Sequence, residues 1–243
     1  MRYLPPRSRA ALPRAIRSLA ARGALIALAL GAGAGGADAQ QTMVDEGTLL
    51  VTRRGAAAGR ESFRIQRAQD ANQLYLAKAE LVYGDRKILP SLTADGNGAA
   101  LLYQVVASQG GRRAEELRAT ARPGRLSVVR RTAQGESSKE YVVGPGAVVL
   151  DEEVFHQYGL LALTHQAGAV TVVVPRSGIQ HSGRLEERGS ESITVDGQQV
   201  AATRWSLSMP DGAHDVWMDA RGRLLRVAIP AKGIVAVRDE LPR

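Results

Sequence analysis

The chain has 243 residues, 44% of them hydrophobic, with 32 Lys and Arg against 24 Asp and Glu, a formal net charge of +8. It contains no cysteine, which excludes disulfides, thiolate metal sites, a cysteine nucleophile and the lipid-modified cysteine of a bacterial lipoprotein. Six of the arginines lie within residues 1–39, and leaving that stretch out reduces the balance to 26 basic against 23 acidic residues, or +3.

Residues 1–39 read as an export signal. Arg2, Arg7, Arg9, Arg14, Arg17 and Arg22 precede an apolar run at 24–32, and a small-residue tail ends in Ala37-Asp38-Ala39, an A-x-A cleavage pattern. The run is nine residues long, whereas a membrane-spanning helix needs roughly 20, so a cleaved signal is expected rather than an anchor. No adjacent arginine pair precedes it, which points to the general secretion route and a periplasmic or extracellular product. The mature chain, residues 40–243, would then have no membrane span. It is long enough to bury roughly 70% of its unfolded surface without disulfide staples.

From Glu46 onward, short alternating runs are separated by glycine-rich turns, the pattern of an antiparallel sheet or barrel. Strands are predicted at 48–54 and 61–66, where Phe63 and Ile65 alternate with Arg64 and Gln66, and a loop at 55–59 joins them. Further strands are predicted at 73–83, 86–93, 99–107, 113–121, 125–132 and 138–143, with turn signals between them. Pro90 places its strand at an edge or bend. The links are short, which favours neighbouring up-and-down strands.

The pattern then changes once. Asp151 is placed to cap a helix at 151–163, with Glu152 and Glu153 in its first turn and Val154, Phe155, Tyr158, Leu160 and Leu161 forming an apolar stripe. Gly159 weakens that helix by about 1 kcal/mol relative to alanine. Strands resume at 169–174, 193–195 and 198–209, the last two flanking the Asp196-Gly197 hairpin signal. A second hairpin is predicted at 213–219 and 223–229, followed by a last strand at 234–238. The expected fold is mainly β: a curved antiparallel sheet or half-open β-barrel with one covering α-helix, in a single domain.

The layout carries a resemblance. Glu46-Gly47, the return strand Gly59-Arg60-Glu61-Ser62-Phe63, one mid-chain helix, then Val216-Trp217-Met218-Asp219 and Gly222-Arg223-Leu224-Leu225-Arg226-Val227 resemble bacterial exported proteins of an uncharacterised domain family. Members of that family look similar to lipoprotein-localisation factors, whose curved sheet wraps a helix over an apolar cavity. The resemblance spans about residues 46–239 and implies a fold and a class of cavity. It supplies no catalytic residue.

The motifs for chemistry are sparse. Gly31, Gly33 and Gly36 satisfy G-x-G-x-x-G but lie behind the apolar leader rather than in a βαβ unit. His156, His165, His181 and His214 include no HExxH or HxH pair, so neither metal nor cofactor is implied. The densest basic stretch, residues 112–131, contains no aromatic residue, reads as a solvated face of two strands, and implies no nucleic-acid partner. Glu152-Glu153 and Glu186-Glu187 are adjacent pairs whose side chains diverge in regular structure. No G-x-S-x-G elbow occurs, and the best nucleophilic set is Ser208, or Ser206, with His214 and Asp215, Asp211 or Asp219.

The leading expectation is therefore a non-enzymatic protein that binds a lipid or lipoprotein acyl chain, another apolar moiety, or an envelope protein. Phe155, Tyr158, Leu161, Trp205 and Trp217 are the expected ligand-lining residues on the concave face. The alternatives are an envelope-associated hydrolase using Ser208, His214 and Asp215, and a structural or assembly module that recognises partners through its strand edges.

Overall fold

The structure, a computed structural model, describes residues 41–69 and 71–242; the leader and its cleavage point lie outside the described residues. The first eight strands are β1 (Gln41–Arg53), β2 (Ala56–Ala68), β3 (Tyr75–Tyr83), β4 (Arg86–Ala94), β5 (Ala100–Gln109), β6 (Arg112–Arg122), β7 (Arg125–Thr132) and β8 (Gly135–Val142). Each pairs antiparallel with the next. Their side chains alternate as the period of two requires: Phe63 and Ile65, Tyr75 and Ala77, Tyr103 and Val105, Leu117 and Ala119 all turn to one buried face.

A two-residue strand β9 (Val148–Val149) and a helix α1 (His156–Thr164) follow, and then β10 (Gly168–Val174), β11 (Ile179–Val195), β12 (Gln198–Met209), β13 (Gly212–Met218), β14 (Leu224–Ile229) and β15 (Ile234–Arg238). β9 runs parallel to β10, with Val148 opposite Val172. β15 returns to pair antiparallel with β1, Leu49 opposite Arg238 and Arg53 opposite Ile234. Among the described residues one sheet of fifteen strands results, in the order β8 to β1, then β15 to β9.

The expected curved, mainly β architecture is what forms. The sheet bends round until its two ends approach, but no ladder joins them. Instead, Gln180 donates through Nε2 to the Val142 carbonyl at 3.0 Å, the Lys139 ammonium donates to the Gly178 carbonyl at 2.6 Å, and the Ala100 amide donates to the Ala147 carbonyl at 3.0 Å. The seam between β8 and the β10–β11 turn is thus stitched by the Lys139 and Gln180 side chains, while the Ala100–Ala147 backbone bond ties β5 to the segment before β9.

α1 lies inside the curve, touching β3 from the first half and β13 and β14 from the second. It is shorter than the predicted 151–163, and residues His156 to Ala162 are all buried. A helix buried on all sides packs as core rather than as an amphipathic lid. Gly159 has a positive reason to be there: a Cβ on it would lie 3.0 Å from the Leu224 Cβ, so the bare backbone sets how closely α1 approaches β14.

Two further expectations change. Pro90 lies in an interior strand between β3 and β5, and the ladder to β3 lapses between Lys78–Ser91 and Leu81–Ile88, across the position of its missing N–H. The strand predicted at 193–195 is the end of the 17-residue β11, which is mostly polar and exposed. A bulge between Glu187 and Gly189 inserts one residue, so Leu185 pairs with Leu207 while Ile193 pairs with Val200. That slip moves the apolar set of β11 from the main core to the opposite face of the sheet. There, Ile193, Val195, Ala202, Trp217, Leu225 and Ala228 form a second, smaller cluster.

Candidate functional site

Buried polar groups hold the segment before α1. Glu61, on the same face of β2 as Phe63 and Ile65, is fully buried. Its carboxylate accepts the Phe155 amide at 2.6 Å, the His156 amide at 3.0 Å and the His156 ring through Nδ1. A carboxylate from β2 therefore satisfies the helix start and complements its dipole. Asp151, expected as the cap, lies five residues ahead of α1. It accepts the Tyr103 hydroxyl at 2.7 Å and the Arg176 Nε at 2.7 Å, and its own amide donates to the Gln157 side-chain carbonyl at 2.7 Å. Burial, and then the neighbouring Asp151, push the Tyr103 hydroxyl well above its ordinary pKa, so it stays a donor. Burial works against the charge on Arg176, but Asp151, Tyr103 and Glu115 together outweigh it and the guanidinium stays protonated.

Phe155, Tyr158 and Leu161 are all buried in the main cluster, and Trp205 packs against it while partly exposed. These four share one side of the sheet. Trp217 does not: Trp205 pairs with Val216 and Trp217 with Arg204, which turns the two indoles to opposite faces. Trp217 sits in the second cluster with the Arg226 and Arg204 guanidinium carbons 4.7 and 5.4 Å from its ring centroid, and its Nε1 donates to Glu191. The five predicted residues thus line no common surface. Phe155, Tyr158 and Leu161 are themselves core residues, each 5% exposed or less, so a ligand reaching them would have to displace packed side chains.

The nucleophilic set is likewise divided. Ser208 is exposed and pairs with Ala213, whereas His214 is opposite Leu207 and faces the core. Tyr158, which burial keeps protonated, donates to His214 Nδ1 at 2.9 Å, and His214 Nε2 donates to Asp211 at 3.1 Å. Asp215 points the other way and accepts from Arg204 at 2.8 Å. His214 therefore ties α1 to the β12–β13 turn and meets neither Ser208 nor Asp215.

An apolar opening lies at one end of the sheet. A cleft of about 400 Å³ lies between the β6–β7 turn and the segment leaving β8, lined by Leu101, Ala121, Leu126, Val143, Pro145 and Val148 among others. Leu126 supplies a buried floor, and Leu101 is 38% exposed. Pro123-Gly124 and Gly144-Pro145-Gly146, legible in the sequence as turns, form its rim. Which apolar residues those turns leave uncovered is not encoded in local spacing.

Fold and cleft together define a β-barrel-like domain with a laterally stitched seam and an apolar end pocket. Residues 167–238, β10 to β15 with the residue preceding them, match the family model described as "Domain of unknown function (DUF6134)". Over 79% of its length the chain is similar in fold to 94% of the chain in "Crystal Structure of Beta-barrel-like Protein of Domain of Unknown Function DUF1849 from Brucella abortus", with a TM-score of 0.50 and 9% sequence identity. No curated protein matches the chain.

Proposed function

We propose that the chain is an exported, non-enzymatic binding protein that takes an apolar chain, such as the acyl chain of a lipid or lipoprotein, in the end cleft. One observation carries this reading: about 400 Å³ of largely apolar cleft stands open at the end of the sheet, while α1 is itself buried among core side chains. Clefts of this size and character are the usual small-ligand sites. The export half of the proposal rests on the arginine-rich leader and its A-x-A terminus.

The test is a chain-length series of fluorescent alkyl probes titrated into purified protein. Each added methylene should tighten binding about fourfold, from about 0.8 kcal/mol per buried CH₂, until the cleft is full. Leu101→Asp, at a partly exposed position, should weaken the longest bound probe at least tenfold without changing the melting temperature. Affinity independent of chain length, or unaltered in Leu101→Asp, would remove the end cleft as the site.

A second reading has its own observation. β8 has a ladder on one side only, so its other edge retains backbone groups able to accept a strand from a partner protein. Replacing Ser138 with proline should abolish capture of such a partner in crosslinking and leave alkyl binding intact.

A further inference from the structure

The seam between β8 and the β10–β11 turn holds a second cleft, of about 240 Å³, lined by Arg130, Ser137, Lys139, Tyr141, Arg176 and Ser177 among others. Three of these residues carry buried polar atoms without a hydrogen-bond partner: the Tyr141 hydroxyl, Arg176 Nη2 and Ser177 Oγ. The Arg176 side chain is 4% exposed and Tyr141 is 3% exposed. Leaving a buried donor unmet costs about 1–3 kcal/mol, more for a charged one, so three in one cleft call for a common acceptor.

The chemistry of that acceptor follows from the groups around it. Arg176 can only donate, and its Nε and backbone amide are already spent on Asp151. Tyr141 keeps its proton, because burial and then Asp151 raise its pKa. Lys139 sits 5.1 Å above the Tyr141 ring and gives one bond to the Gly178 carbonyl, at 2.6 Å, which leaves two of its three N–H groups for another acceptor. Arg130 is held by Glu115 at 2.6 Å. Against the cations Arg130, Lys139 and Arg176 stand the carboxylates Glu115 and Asp151, both already engaged, so the cleft keeps an excess positive charge. A cluster of donors with a spare positive charge and no unengaged carboxylate fits a multidentate anion.

We propose that the seam cleft is a binding site for a phosphate-class oxyanion, held by Arg176, Tyr141, Ser177 and Lys139. The site is distinct from the end cleft but adjoins it along two strands. Leu126 of the end cleft pairs with Tyr141 of the seam cleft, and Val128 with Lys139. The phosphate could therefore be free, or it could be the head of an amphiphile whose tail enters the end cleft.

Thermal shift and ³¹P NMR titration of the purified protein, at constant ionic strength with chloride as control, separate these cases. Inorganic phosphate and a medium-chain alkyl phosphate are the two probes. Saturable binding of inorganic phosphate supports a free-anion site, and binding of alkyl phosphate alone supports a headgroup site. Because Arg176→Met leaves Asp151 buried and unpaired, the decisive variants are Tyr141→Phe, Ser177→Ala and Lys139→Met. The first two remove only unpartnered donors, so the unliganded melting temperature should hold or rise, while the affinity for whichever probe binds should drop about tenfold per lost bond to the anion. No saturable response to either probe, or equal affinity in all three variants, overturns the proposal.

Discussion

Glu61 illustrates what a single position contributes. It stands two residues before Phe63 on β2, so the alternation that buries Phe63 and Ile65 must bury Glu61 as well. A buried carboxylate requires donors, and the start of α1, about 95 residues away in sequence, supplies them. Alternation accounts for Glu61 facing inward, but not for what it meets, since its partners come from a distant segment. His214 shows the same limit. It lies on the core side of β13 with Val216 and Met218, and its apparent company with Ser208 and Asp215 came from sequence proximity alone. Burial, partly offset by Asp211, lowers the His214 pKa below its ordinary 6.5, with Lys232 adding to the depression and Asp215 opposing it. The unfolded chain then takes up this proton more readily than the folded one, so stability should decline as pH falls through about 6.5 towards the depressed folded value. Melting temperatures between pH 7.5 and pH 5.5 should show that decline, and His214→Gln should flatten it. An identical slope in the two proteins would assign the effect elsewhere.

At the scale of elements, the helix was legible as a change of period, but its start and its role were not. Asp151-Glu152-Glu153 has the composition of a helix N-terminus, yet Asp151 is drawn away by Tyr103 and Arg176, and Glu153 adopts a left-handed φ of 62°. Tertiary partners outweighed a local capping preference worth about 1 kcal/mol. Gly159 gives the sharpest contrast between propensity and packing. Alanine there should gain up to about 1 kcal/mol of helix propensity, but its Cβ would press on the Leu224 Cβ, which is fully buried and cannot swing aside. Overpacking costs about 1–3 kcal/mol, so Gly159→Ala should lower the denaturation midpoint in urea; a raised midpoint would show that α1 can shift away from β14. Strand β11 escaped the sequence reading for a related reason. Its bulge reverses which face Ile193 and Val195 occupy relative to Leu185, so no single alternation describes it.

For the whole molecule, the order of strands was readable and their closure was not. Short turns between alternating runs specify neighbours, and the strands of the meander β1 to β8 pair as those turns suggest. The pairing of β1 with β15 joins segments about 190 residues apart, and nothing in either strand announces the other. Protection should follow this arrangement. Amides of β1, β2, β14 and β15, each between two partner strands, should exchange slowest with deuterium, and those of β8, which is exposed at every residue except Tyr141, fastest. Uniform protection across the sheet would indicate that the seam closes as a true ladder.

The meeting of β1 with β15 at the middle of the sheet also constrains the order of assembly. As the chain folds, the β1 to β8 meander can associate locally, but β1 keeps one side bare until β15 arrives from about 190 residues further along. Distant pairings of this kind are slow to form and leave an open template for wrong partners in the meantime, so a variant truncated before residue 234 should be the species most prone to aggregate.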